Sequence, residues 1–260
     1  MEASGIIILL VLLGAMATTI PVFLCLFLTS VVGCAVFTEI PLIFLIQAVF
    51  RAMDNFALIV VLFFILCGNV MTSGSIVDKL IRVANVTVGW LPGGLAMAGV
   101  LACGMFGAIS GSTVATVVAI GGFMIPALID NHYRERFAVG VMTTAPNLGV
   151  IIPPSISMIL YSMVSACSLE GLFLTGFVPG VLIMAGMCTY CFVWAVRNPG
   201  FQTAPKPTFK EMVAAFKTGF WSLMLPVVIF GGIFSGAFTA NEAAVVACVY
   251  AFIVELFIHR

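Results

Sequence analysis

The chain has 260 residues, of which 63% are hydrophobic and 8% charged. Soluble domains carry about 25% charged residues, so water is not the solvent for most of this surface. Ten acidic and ten basic residues balance, which leaves no electrostatic footprint for a nucleic-acid partner.

The position of the charges is more informative than their number. None falls from Val83 to Ile129, Phe137 to Leu169, Gly171 to Val196 or Thr218 to Asn241. Each gap exceeds the roughly 20 residues a helix needs to cross a bilayer, and the first has room for two passes. The fold class that follows is all-α, a polytopic transmembrane helical protein.

The elements are taken in chain order. The apolar run from Gly5 to Phe37 is too long for one span, and Pro21, after Gly14 and Thr18-Thr19, predicts a break. A cleavable signal peptide is not expected, because Glu2 stands where basic residues would be. Glu39, Pro41, Arg51 and Asp54 bracket Ile43, Ile46, Ala48 and Phe50, the pattern of an interfacial helix. Asn55–Met71 reads as a span. Ser75–Trp90 is amphipathic, with Asp78, Lys79, Arg82 and Asn85 interleaved with Ile76, Leu80, Ile81 and Val88. Trp90 and Pro92 end it at headgroup level.

Two apolar arms follow, Leu91–Ile109 and Thr113–Ile129, joined at Ser110-Gly111-Ser112. After the loop Asp130–Arg136, the span Phe137–Ala166 is interrupted by Pro146, Gly149 and Pro153-Pro154. Gly176–Val196 is a further span. Arg197–Thr218, with Pro199, Pro205, Pro207 and three lysines, reads as a connection holding a short amphipathic helix. Phe220–Phe234 and Ala243–Ile258 are the last spans.

If both arms start and finish on one face, Lys79, Arg82, Arg134, Arg136, Arg197, Lys206, Lys210, Lys217 and Arg260 share that face, and Arg51 lies opposite. That asymmetry assigns the basic side to the cytoplasm. Spanning arms and a re-entrant hairpin give the same result.

Two interruptions carry the chemistry. The first is GAISGST, Gly107–Thr113. A turn at membrane depth leaves backbone groups that lipid cannot satisfy, so protein or a water-filled cavity must cover it. Gly107 and Gly111 allow close backbone approach, and Ser110, Ser112 and Thr113 supply hydroxyls. A helix starting near Ser112 presents free N–H groups that favour an anion. Gly107 and Gly111 also satisfy a G-x-x-x-G packing pattern.

The second is NLGVIIPPS, Asn147–Ser155. Pro153 and Pro154 lack amide hydrogens, so the carbonyls of Gly149 and Val150 lose their helical donors. Free carbonyls, with Asn147 and Ser155 beside them, are ready ligands for Na⁺, and broken helices of this kind mark transporter sites. A simple proline kink satisfied by its neighbours also fits.

Other features are quieter. Thr239 and Glu242 in FTANEAA have capping-box spacing. All eight cysteines lie in apolar segments, and Cys188-x-x-Cys191 has no second pair or histidine to complete a zinc site. His132 is in a charged loop and His259 beside the C-terminal Arg260. Asp54, Asp78 and Glu255 lie near span ends, not mid-span. Intramembrane proteolysis and ATP hydrolysis therefore have no candidate residues, and neither an enzyme nor a cofactor is expected.

At these same residues the chain resembles the large membrane subunit of TRAP transporters, the tripartite ATP-independent periplasmic type (DctM-like). The resemblance runs from about Pro21 to the end. Its matching text includes LPGGLAMAGVLACGMFGAISGSTVATVVAIGGFMIPALI, NLGVIIPPSISMILYSMVSACSLEGLFLTGFVPG and LPVVIFGGIFSGAFTANEAAVVACVYAF. It implies a sodium-driven elevator transporter of small organic acids, often dicarboxylates or sialic acid, in the bacterial inner membrane. The partners it implies are a small permease subunit and a periplasmic substrate-binding protein.

The resemblance places substrate at Gly107, Ser110, Gly111, Ser112, Thr113, Pro153, Pro154 and Ser155, and Na⁺ at Asn147, Gly149 and Val150. Thr116 stands where an acidic residue is frequent, and Ala240 where proline is usual. The implied organisation is a scaffold over 1–74, a transport-domain half over 75–196, a cytoplasmic connection over 197–219 and the start of a second inverted repeat over 220–260. Within the transport-domain half lie the hairpin 91–129, the broken helix 137–166 and the span 176–196. Only one hairpin and one broken helix are present, so the alternative is a truncated, non-transporting assembly subunit or fragment.

Overall fold

The computed structural model describes residues 2–38, 40–55, 57–198, 200 and 205–258. Expectations that fall on Glu39, Pro199, His259 and Arg260 lie outside the described residues. Among the described residues every regular element is helical. The chain forms two compact units, Met1–Phe56 and Ala57–Arg260.

The first unit contains α1 (Glu2–Ala17), α2 (Val22–Phe37) and α3 (Leu42–Met53). The expected break lies where Thr19 takes a left-handed φ of 60° and Pro21 precedes α2. Helices α1 and α2 pack together, with Gly33 beside Ile8. Leu9, Leu10, Leu13, Phe23 and Leu26 point outward, which suits lipid or protein but not water.

The second unit contains α4 (Ala57–Ser73), the amphipathic α5 (Ile76–Val88), α6 (Gly94–Ser110), α7 (Thr113–Thr116), α8 (Gly122–Asp130), α9 (Glu135–Thr144), α10 (Leu148–Ile151), α11 (Ile156–Ser165), α12 (Leu169–Arg197), α13 (Phe209–Phe234) and α14 (Ala240–Ile253). A π-helical turn, Val117–Gly121, joins α7 to α8, and another, Val254–Ile258, extends α14. Helix α6 is the centre of this unit. It packs on α5, α10 and α12, and 14 of its 17 residues are buried, from Gly94 to Ser110. Small residues permit this: Gly99 makes room for the Met142 and Met124 side chains, and Gly104 for that of Met184.

Four helical stretches among the described residues are long and apolar enough to cross a membrane: Thr113–Asp130, Leu169–Arg197, Phe209–Phe234 and Ala240–Ile258. Glu135–Ile151 and Ile156–Ser165 qualify together, bent by 42°. One expectation changes. The polar stretch before Phe220 holds no separate short helix, because α13 starts at Phe209 and runs unbroken to Phe234. Thr208 and Glu211 form a capping box there, and neither Thr218 nor Gly219 interrupts the hydrogen-bond ladder.

The elbow between α4 and α5 is pinned by an acid. The Glu255 carboxylate accepts the backbone N–H of Ser75 (3.1 Å) and of Ile76 (2.8 Å). It thus satisfies two of the free donors at the start of α5. On α5, desolvation holds the Lys79 ammonium below its ordinary pKa, and the nearby Glu255 charge opposes that shift.

Candidate functional site: a hairpin tip against a broken helix

The arms α6 and α7–α8 run antiparallel, with Gly99 of the first beside Met124 of the second. The turn is made at Gly111, whose φ of 59° is left-handed, and its N–H closes on the Gly107 carbonyl at 2.8 Å. This is a helix end that glycine alone adopts without strain. Ser112 is extended and starts the second arm, its hydroxyl accepting the Ala115 N–H at 3.4 Å.

Hydroxyls tie the tip together. The buried Thr116 donates to the Ser112 carbonyl at 2.8 Å and lies 3.3 Å from the Ser110 hydroxyl. Ser110 Oγ in turn accepts the Ser112 N–H at 3.4 Å. Thr113 is partly exposed at the head of α7. Sequence reasoning noticed Thr116 only as a departure from a pattern. Its spacing from Ser112, one helical turn, was the available signal for this bond.

The break lies between α10 and α11. The Ile152 N–H still donates to Leu148, at 2.7 Å, but Pro153 and Pro154 have no amide hydrogen to give. The carbonyls of Gly149 and Val150 are left without their helical donors. The Pro153–Pro154 peptide is cis. Ser155 begins α11, and its side chain is fully buried with its hydroxyl unpartnered among the described residues. Buried polar groups are nearly always hydrogen-bonded, so this orphan calls for an explanation.

The two interruptions meet. A Cβ placed on Gly107 would stand 2.7 Å from the Gly149 Cα, and one on Gly149 would stand 2.8 Å from the Gly107 Cα. Only two glycines fit at that crossing. A Cβ on Gly111 would stand 2.9 Å from the Ile156 nitrogen and 3.1 Å from the Pro154 carbonyl oxygen. The turn of the hairpin therefore rests on the first residues after the break. Asn147 occupies a 3₁₀ turn, Ala145–Asn147, that touches α7, but its side chain faces outward. Gly68 of α4 backs the tip, where a Cβ would stand 3.2 Å from that of Ser110.

The chemistry of this place is all oxygen and amide hydrogen. It offers backbone carbonyls, hydroxyls and the N–H groups at the head of α7, and no carboxylate. Such donors suit a hard monovalent cation beside an anion. No group of three His, Cys, Asp or Glu side chains fit for a metal occurs among the described residues.

Comparison with known proteins bears directly on this arrangement. Residues 7–260 match the family model "Tripartite ATP-independent periplasmic transporter, DctM component". The chain belongs to the DctM family of TRAP transporter large permeases. It is 36% identical to the C4-dicarboxylate TRAP transporter large permease protein DctM of Rhodobacter capsulatus, over 99% of this chain and 61% of that one. It is 39% identical to the protein of the same description in Vibrio cholerae serotype O1, over 98% and 56%. Identity is 38% to the ectoine/5-hydroxyectoine TRAP transporter large permease protein UehC of Ruegeria pomeroyi, over 83% and 50%. The chain thus spans between half and about three fifths of the length of these relatives.

DctM-family proteins are transporter subunits, not enzymes. Membership and the apolar helices together make this a multi-pass membrane protein. The departure from the family text at Ala240 has a simple reading. Thr239 caps α14, so Ala240 is its first helical residue, where proline is favoured because no hydrogen bond needs its N–H, and alanine is equally free of constraint.

Proposed function

We propose that this chain forms part of a sodium-coupled TRAP-type importer of small organic acids in the bacterial inner membrane. It would work with a small permease subunit and a periplasmic substrate-binding protein. The observation that carries the reading is the crossing of Gly107 on Gly149, which brings the hairpin tip against the two carbonyls that Pro153 and Pro154 deprive of helical donors.

In this reading residues 75–196 are the moving half. The α7 N–H groups with Ser110, Ser112 and Thr113 face the substrate carboxylate, and Gly107 and Gly111 keep the tip thin enough to reach it. Pro153, Pro154 and Ser155 form the opposite wall. Na⁺ is held by the Gly149 and Val150 carbonyls with Asn147 nearby, and the orphan Ser155 hydroxyl is a further oxygen within the break. Cation and anion then favour each other's binding, which is the physical basis of coupling. The descriptions of two relatives, one for C4-dicarboxylates and one for ectoine and 5-hydroxyectoine, support small polar solutes as the substrate class.

The test is uptake of labelled succinate, and of a panel of other small acids, into proteoliposomes holding the complete system. Uptake is expected to need an inward Na⁺ gradient. Uptake that persists unchanged when the gradient is collapsed by an ionophore refutes the coupling.

A further inference from the structure

A cavity of about 280 Å³ with charged residues in its walls lies away from the hairpin, between α5 and the entry to α13. Arg82, Asn85 and Trp90 form one wall. Pro205, Pro207 and Glu211 form the other. The Lys206 ammonium sits 5.3 Å over the Trp90 ring. Arg82 and Glu211 face one cavity with opposite charge, yet no ion pair joins them among the described residues. Glu211 spends one oxygen on the Thr208 N–H, at 2.8 Å, and the other is left for a donor.

The depth of this cavity is set by its neighbours. Helix α13 is a membrane-spanning candidate that begins at Phe209, and α5 is amphipathic. Tryptophan and basic residues at such a boundary lie at headgroup level. A lone phosphate drawn to Arg82 would meet the Glu211 carboxylate, a like-charge contact. A headgroup with both a phosphate and a protonated primary amine removes that conflict and gives each protein charge a partner. Along α13, directly after Glu211, Met212, Val213, Phe216 and Phe220 line an apolar groove of about 600 Å³ that suits an acyl chain.

We propose that this cavity binds the phosphoethanolamine headgroup of an aminophospholipid, with the phosphate on Arg82 and Lys206 and the ammonium on Glu211. The same headgroup chemistry exists in free phosphoethanolamine, and the apolar groove favours the lipid. The site is independent of the Na⁺ and substrate reading.

Native mass spectrometry of the complete permease in detergent tests it, with phosphatidylethanolamine, phosphatidylglycerol and phosphatidylcholine of matched chains added in turn. Phosphatidylethanolamine is expected to be retained about tenfold more than either other lipid, the ratio a single charge-assisted contact supplies. Arg82→Gln should weaken all three lipids. Glu211→Gln, which keeps the helix cap because glutamine serves in a capping box, should erase the preference for the amine. Both side chains are exposed, so the lipid-free melting temperature should not move. Equal retention of the three lipids overturns the proposal, as does a preference untouched by both variants. Displacement of the lipid by equimolar free phosphoethanolamine assigns the cavity to a soluble ligand and overturns the lipid source.

Discussion

At the scale of single residues, the Gly107–Gly149 crossing makes the sharpest demand. A methyl group at either position would lie under 3 Å from backbone, which cannot move like a side chain. Gly107→Ala or Gly149→Ala is expected to cost about 1–3 kcal/mol, the range for overpacked cores. Thermal unfolding in detergent measures it, with Gly186→Ala as the control, because nothing lies within 4 Å of a Cβ there. An unchanged melting temperature in both site variants would show that the crossing is not as tight as described. Ser155 calls for a different signature. Its hydroxyl has no partner among the described residues, so Ser155→Ala should leave stability unchanged or raise it slightly. If the hydroxyl contributes to Na⁺ binding, the same variant should raise the Na⁺ concentration for half-maximal uptake several-fold. A loss of stability with normal Na⁺ dependence makes Ser155 a packing residue only.

At the scale of elements, two helix starts illustrate local and distant control. Helix α14 is capped by its own sequence: Thr239 Oγ1 accepts the Glu242 N–H at 3.4 Å, and Glu242 accepts the Thr239 N–H at 2.9 Å. Thr239→Ala should cost about 1 kcal/mol, as helix caps do. This start was legible because both partners sit three residues apart. Helix α5 is capped from the far end of the chain, by Glu255, and no local pattern announces it. Glu255→Ala should cost about 1–3 kcal/mol, because two N–H groups lose a charged acceptor, and Glu255→Gln should cost less. A Glu255→Gln variant as stable as the wild type would mean that the charge is unimportant, and one that melts with Glu255→Ala would mean that the neutral amide replaces none of it. The aromatic stack of Phe137 on Trp194, with ring centroids 3.7 Å apart and Tyr133 beside both, joins α9 to α12 in the same non-local way.

At the scale of the whole molecule, the division into two compact units has a testable consequence. The core of the second unit is built from its own helices, with α4 on α14, α5 on α13 and α6 between α5 and α12. A protein comprising residues 57–260 is therefore expected to remain monodisperse in detergent, with a melting temperature close to that of the full chain. Aggregation on removal of the first three helices would mean that the second unit depends on them.

The sequence by itself determined the membrane class, the helical class and the two points of interruption. These follow from local rules: charge is excluded from hydrocarbon, proline lacks a donor, and Gly-Ser turns leave backbone groups unsatisfied. The continuous α13 was missed because a capping box at Thr208 can extend a span outward as readily as it can start a separate helix. Only the tertiary structure decided that Gly107 lies on Gly149, that Thr116 closes the tip, that Asn147 faces outward and that Glu255 holds α5. Each of these depends on which faces meet. In a chain whose helices are apolar on every side, periodicity carries no record of that choice.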